Sequence, residues 1–131
     1  MSARPEVVLL VEDDDGLRRL YAQALESRGY QVLQAADGFE ALTTAATRRE
    51  RIDLLITDFL LPRMSGQELW LKFRSHHPEA RALFLSGYIE QARPVVGDGP
   101  NAPRLLAKPV GAETLVATAR MCLDAARDAG S

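Results

Sequence analysis

Four short apolar runs each end in residues able to do chemistry. Glu12 and Asp13 follow Val7-Val8-Leu9-Leu10-Val11, and Asp58 closes Leu54-Leu55-Ile56-Thr57-Asp58. Ser86 follows Ala82-Leu83-Phe84-Leu85, and Lys108 follows Leu105-Leu106-Ala107. Runs this short and apolar read as buried strands. If the strands are parallel, all of these residues lie on one edge of the sheet, where open α/β sheets bind ligands. With the Glu12 and Asp58 strands adjacent, about 4.8 Å apart, three carboxylates come within reach of one ion. Alone they would repel and one pKa or more would rise. A hard divalent cation resolves this: Mg²⁺, with Mn²⁺ as the alternative, held by few carboxylates and sharing phosphate oxygens. Lys108 adds positive charge opposite. Asp58 is then the candidate nucleophile for a phosphoryl group, since carboxylates form acyl phosphates. Lys108 and the cation neutralise the transferred oxygens, and Ser86 donates a hydrogen bond to them.

The elements between these runs must hold the residues in place. Leu17, Leu20, Tyr21, Ala24 and Leu25 recur at helical spacing before Gly29, with Asp14 or Asp15 as the cap. Gln31–Ala35 reads as a second strand. Asp37-Gly38-Phe39-Glu40 and Ser65-Gly66-Gln67-Glu68 have capping-box spacing. Ala41, Leu42, Ala45 and Ala46 give the next helix a small-residue face, and Arg48-Arg49-Glu50-Arg51 reads as its cationic C-terminus. Leu69, Trp70 and Phe73 form a packing stripe, and His76-His77-Pro78 closes that helix as a solvated pair. Pro94, Pro100 and Pro103, with Gly97 and Gly99, limit the 91–103 stretch to one or two helical turns near Ile89 to Val96. The last helix is expected over about 113–126, with Cys122 as a core residue on its apolar face. Strands alternating with helices predict an α/β fold: a doubly wound, five-stranded parallel sheet of order 2-1-3-4-5 with a short or irregular fourth helix.

Composition narrows the function classes. The 131 residues suit one domain, read over 1–131 with a core of about 6–126. A net charge of -2 argues against a nucleic-acid footprint. No apolar run approaches the roughly 20 residues of a membrane span. The N-terminus lacks an apolar signal segment, and a single cysteine forms no internal disulfide. These features suit a cytoplasmic protein.

Taken together, Glu12-Asp13, Asp58 with Pro62 and Gly66, Ser86-Gly87-Tyr88 and Lys108-Pro109 resemble the receiver domain of two-component response regulators, which has a flavodoxin-like (βα)5 fold. The resemblance covers about residues 6–126. It implies that Asp58 is phosphorylated by a histidine kinase or a histidine phosphotransfer protein. It implies that Asp13, Asp58 and the backbone carbonyl of Leu60 ligate the metal directly, with Glu12 acting mainly through water. Ser86 and Lys108 would engage the phosphoryl group, and a cis bond before Pro109 would aim Lys108 inward. Tyr88 and Leu60 would tune water access. The Ser-Gly-Tyr sequence and the irregular segment after it are similar to receivers attached to hybrid histidine kinases. Two features depart from the family pattern: Leu105 stands where an aromatic residue is common, and the 91–103 segment is rich in proline and glycine. Both imply a different route of readout.

Two other classes compete. Asp13 and Asp15 have the two-residue spacing of an aspartyl-nucleophile phosphohydrolase, but that leaves Ser86 and Lys108 without a role. A non-phosphorylated interaction module would leave the acidic residues without one. A dinucleotide site is disfavoured because no G-x-G-x-x-G follows the first strand.

Overall fold

A computed structural model of the chain describes residues 4–97 and 102–129. In order, the elements are β1 (Val7–Val11), α1 (Asp15–Glu26), β2 (Gln31–Ala35), α2 (Gly38–Thr47), β3 (Leu54–Asp58), α3 (Gly66–Phe73), β4 (Arg81–Ser86), α4 (Ile89–Val96), β5 (Arg104–Ala107) and α5 (Ala112–Ala129). The strands form one sheet of order β2-β1-β3-β4-β5, and every pairing is parallel. This is the doubly wound order expected from the sequence.

The continuous apolar runs reflect burial on both faces. Alternate residues of the central strands serve opposite cores. Leu9, Leu55 and Phe84 pack with Ala41 and Ala45 of α2 and with Leu69 and Phe73 of α3. Val8, Leu10, Ile56 and Leu83 pack with Tyr21 and Leu25 of α1 and with Leu115 and Ala119 of α5. β1 and β3 are buried along their whole length, whereas the edge strands β2 and β5 are mostly half-buried or exposed. The helices start where short polar side chains satisfy free backbone donors. Asp14 accepts from Leu17 N–H, Asp37 from Glu40 N–H and Ser65 from Glu68 N–H.

α4 has eight residues, contains Pro94 and stops at Gly97, whose φ of 77° suits glycine. That is the short fourth helix the prolines predict; the part of that expectation falling on residues 98–101 lies outside the described residues. Of the two candidate caps, Asp14 is the one that caps α1. Other local expectations need correction. Leu20 is exposed, and Ala22 takes a buried place instead, because the buried arc of α1 is centred on Tyr21 and Leu25. α5 starts at Ala112 and continues to Ala129. α2 ends at Thr47 with no basic residue in its last turn, so Arg48–Arg51 form a loop rather than a helix terminus.

Candidate functional site

Backbone pairing brings the site residues together. Val11 is in register with Thr57, so the next residues, Glu12 and Asp58, leave neighbouring strands side by side. Asp58 is level with Leu85, and Ser86 with Ala107. The ladder continues just past the strand ends, which fixes each exit. Glu12 N–H donates to Ala35 O at 3.1 Å, Phe59 N–H to Leu85 O at 2.8 Å and Lys108 N–H to Ser86 O at 2.9 Å.

On this frame the carboxylate oxygens of Glu12, Asp13 and Asp58 lie within 4.8 Å of one another. Glu12 and Asp58 are buried, while Asp13 is exposed. Lys108 Nζ stands 2.8 Å from Asp58 Oδ1. That contact is a close ion pair rather than a well-aligned hydrogen bond, and Asp58 Oδ1 has no other partner. Glu12 Oε1 accepts from Asp14 N–H, whereas Glu12 Oε2 is buried without a hydrogen bond. Burial, and then the charge of Asp58, pushes the Glu12 carboxyl up to about 7. Burial also raises Asp58, against the opposing close contact and charge of Lys108. Burial works against the Lys108 ammonium, yet the close contact and charge of Asp58 hold its pKa above the ordinary value.

This donor set fits a divalent cation. It offers only hard oxygens, and it includes a buried carboxylate oxygen with nothing to bind. An unpaired buried acceptor is costly, and a cation between the carboxylates relieves both that cost and the mutual repulsion.

The surrounding loops complete the site. Gly66 N–H donates to Phe59 O at 2.7 Å. A Cβ at Gly66 would collide with the backbone oxygen of Asp58 and would crowd Phe59 Cα at 3.1 Å. Glycine there lets α3 pack directly against the acceptor residue. Leu60 lies two residues past Asp58 with its side chain exposed, and Tyr88, two residues past Ser86, is exposed as well. Ser86 is buried, and its Oγ accepts from Tyr88 N–H at 2.9 Å. Leu105 is half-buried against the core shared with α2 and α3. The Lys108–Pro109 bond is cis.

Three supports were not visible in the sequence. Tyr21, buried in α1, donates through its hydroxyl to Val110 O at 2.7 Å and so ties down the segment after Lys108. Arg18 Nη1 donates to Glu12 O at 2.8 Å, and Thr57 Oγ1 to Asp58 O at 3.1 Å. The one available signal was a tyrosine in an apolar stripe, since a buried phenol needs an acceptor. Asp15, the second carboxylate of the phosphohydrolase spacing, is exposed and paired with Arg18 at 2.7 Å. It is not part of the acidic cluster around Asp58.

The family model of the response regulator receiver domain matches residues 8–120. Sensor kinase CckA of Brucella abortus (strain 2308) is 42% identical over 85 residues, which is 65% of this chain and 9% of that protein. Response regulator receiver protein CpdR of the same organism is 33% identical over 109 residues, 83% of this chain and 89% of that protein. The crystal structure of the receiver domain from hybrid histidine kinase CckA matches with a TM-score of 0.75 at 37% identity, over 89% of this chain and 98% of that one. The chain therefore spans less than a tenth of the kinase it matches, and most of CpdR.

Proposed function

This chain belongs to the response regulator receiver domain family of two-component signalling, and from that premise we propose that Asp58 is its phosphoacceptor in a Mg²⁺-dependent transfer. The donor is a phosphohistidine on a histidine kinase or a histidine phosphotransfer protein. The observation that carries this reading is the meeting of Asp58 with Glu12, Asp13 and Lys108 at one edge of the sheet. Residues 1–131 are read as one receiver unit acting in the cytoplasm. Among the described residues no helix is long and apolar enough to cross a membrane.

In the transfer, a carboxylate oxygen of Asp58 attacks phosphorus. The P–O bond forms as the donor's P–N bond breaks, and the bond pair leaves with the donor imidazole. Glu12, Asp13, Asp58 and the backbone carbonyl of Leu60 would hold Mg²⁺, which when bound lends positive charge to the phosphoryl oxygens. Lys108 already faces Asp58, so its ammonium needs little movement to meet the incoming group. Ser86 Oγ accepts from Tyr88 N–H, which leaves its own proton to donate to a phosphoryl oxygen.

Signalling follows if the phosphoryl group favours one arrangement of the loops after β3 and β4. Leu105 offers no aromatic ring to swing, and α4 is only eight residues long. Readout therefore runs mainly through the Ser86–Tyr88 loop. Leu60 and Tyr88, both exposed, control how water reaches the acyl phosphate.

The test is incubation with acetyl phosphate and Mg²⁺ followed by intact mass. The expected outcome is one added phosphoryl group, which does not form when EDTA is present from the start. A folded, Mg²⁺-binding protein that gains no mass would sink the proposal.

A further inference from the structure

We propose that the opposite edge of the sheet carries a separate binding site for a small phosphate-bearing anion. Its centre is a surface cavity of about 270 Å³ lined by Arg48, Arg49, Arg51, His76, His77 and Glu79. The loop that builds it exists because α2 ends early: at Arg48 the backbone turns extended, with φ -85° and ψ 123°. Arg48–Arg51 then run across the entrance to β3.

One wall is rigid. His77, read from the sequence as solvated, is buried. Its Nδ1 accepts from Ile52 N–H at 3.2 Å, and its Nε2 lies 3.0 Å from Ala45 O. That pattern puts the ring proton on Nε2 and uses both nitrogens. The ring also stacks on Phe73 with centroids 5.3 Å apart. His77 is therefore a brace, tying the end of α2 to the loop before β3, and it leaves no atom for a ligand. Arg51 is braced as well, with Nε 3.1 Å from Asp53 Oδ1 and Nη1 3.1 Å from Glu79 Oε2.

The charge in the cavity is unbalanced. Three arginines and one carboxylate line it, and Arg51 already engages that carboxylate. Among the described residues, Arg48 and Arg49 make no ion pair, and Arg48 Nε is a buried donor with no protein acceptor. An exposed arginine is ordinarily satisfied by water. Arg48 differs: it is partly buried and its Nε has lost hydration without a protein acceptor, so its charge is poorly compensated. An anion rich in oxygens supplies acceptors for several guanidinium forks at once, and phosphate matches that fork geometry. The cavity precedes β3 and Asp58 ends it. At about 3.3 Å per residue the five residues of the strand keep the two sites roughly 16 Å apart or more. The inference does not depend on the phosphoacceptor reading.

The test is a titration of pyrophosphate, and separately of orthophosphate, into the isotope-labelled chain in EDTA, with ionic strength held by sodium chloride. EDTA keeps the acidic edge from binding phosphate through a metal. Saturable amide shifts confined to residues 48–52 and 76–79 are expected, with pyrophosphate binding below about 1 mM and orthophosphate more weakly. The double variant R48Q/R49Q should lose at least tenfold in affinity. R49Q alone, at an exposed position with no ion pair, keeps the fold and should still weaken binding. Linear shifts equal to those from chloride, saturable shifts centred elsewhere, or unaltered affinity in R49Q would each overturn the proposal.

Discussion

At the carboxyl edge of the sheet the buried atoms left without a hydrogen bond include two acceptors, Glu12 Oε2 and Asp58 Oδ1; near the amino edge one is a donor, Arg48 Nε. The central strands β1, β3 and β4, which run between the edges, are mostly apolar and buried. The same layered scaffold thus presents opposite charge at its two ends. The ends also differ in what they cost. The acidic edge places buried carboxylates side by side and destabilises them, which raises Glu12 and Asp58. The basic edge is braced by His77, whose two ring nitrogens satisfy backbone groups of α2 and of the loop before β3. Functional strain is concentrated at one end, and structural support at the other.

The strongest test of that contrast is His77→Ala. It leaves Ile52 N–H and Ala45 C=O without partners and opens a void beside Phe73. A loss of about 4 kcal/mol in urea denaturation is expected, with phosphoryl uptake retained wherever the variant is folded. A loss within about 0.5 kcal/mol would remove His77 as a brace.

The acidic edge should instead reveal itself through pH. The pKa of Glu12 in the folded protein is raised to about 7 from an ordinary 4.5. In that window the native state holds the proton more tightly than the unfolded chain, so stability falls as pH rises. Without Mg²⁺, stability should drop by on the order of 3 kcal/mol between about pH 4.5 and 7. Added Mg²⁺ should stabilise the protein more at the upper end and should release protons. A flat profile in EDTA would contradict the buried-carboxylate account.

Gly66→Ala probes the packing of α3 on Asp58. The added methyl meets the Asp58 backbone oxygen, so a loss of about 2 kcal/mol and slower phosphorylation are expected by thermal melt and intact mass. The smallest effect on stability belongs to Tyr88→Ala. This exposed side chain should leave the melting temperature unchanged while shortening the lifetime of the phosphoryl group, followed by loss of the mass adduct. An unchanged lifetime removes Tyr88 from the control of water access.

Much of the acidic edge was legible because each of its residues follows an apolar run, and in a parallel sheet all such ends lie together. The strand order, the brevity of α4 and the packing roles of Trp70, Phe73 and Cys122 were legible for similar reasons of periodicity and breakers. The basic edge was not. Arg48–Arg51 have the composition of a helix C-terminus, and only the early exit of α2 makes them a loop. His77 is buried because Ala45 and Ile52, remote in sequence, converge on it. Leu20 satisfied the helical spacing, yet it falls outside the arc that meets the sheet. Tyr21 was placed in the core, but its bond to Val110 O depends on a contact across 89 residues.

The most direct measurement traps the acyl phosphate chemically. After reaction with acetyl phosphate and Mg²⁺, borohydride reduces an aspartyl phosphate to homoserine, and peptide mass mapping locates it. The account predicts homoserine at position 58 in the wild type and none in Asp58→Asn. Homoserine at another aspartate, or none in a protein that is folded and binds Mg²⁺, would contradict it.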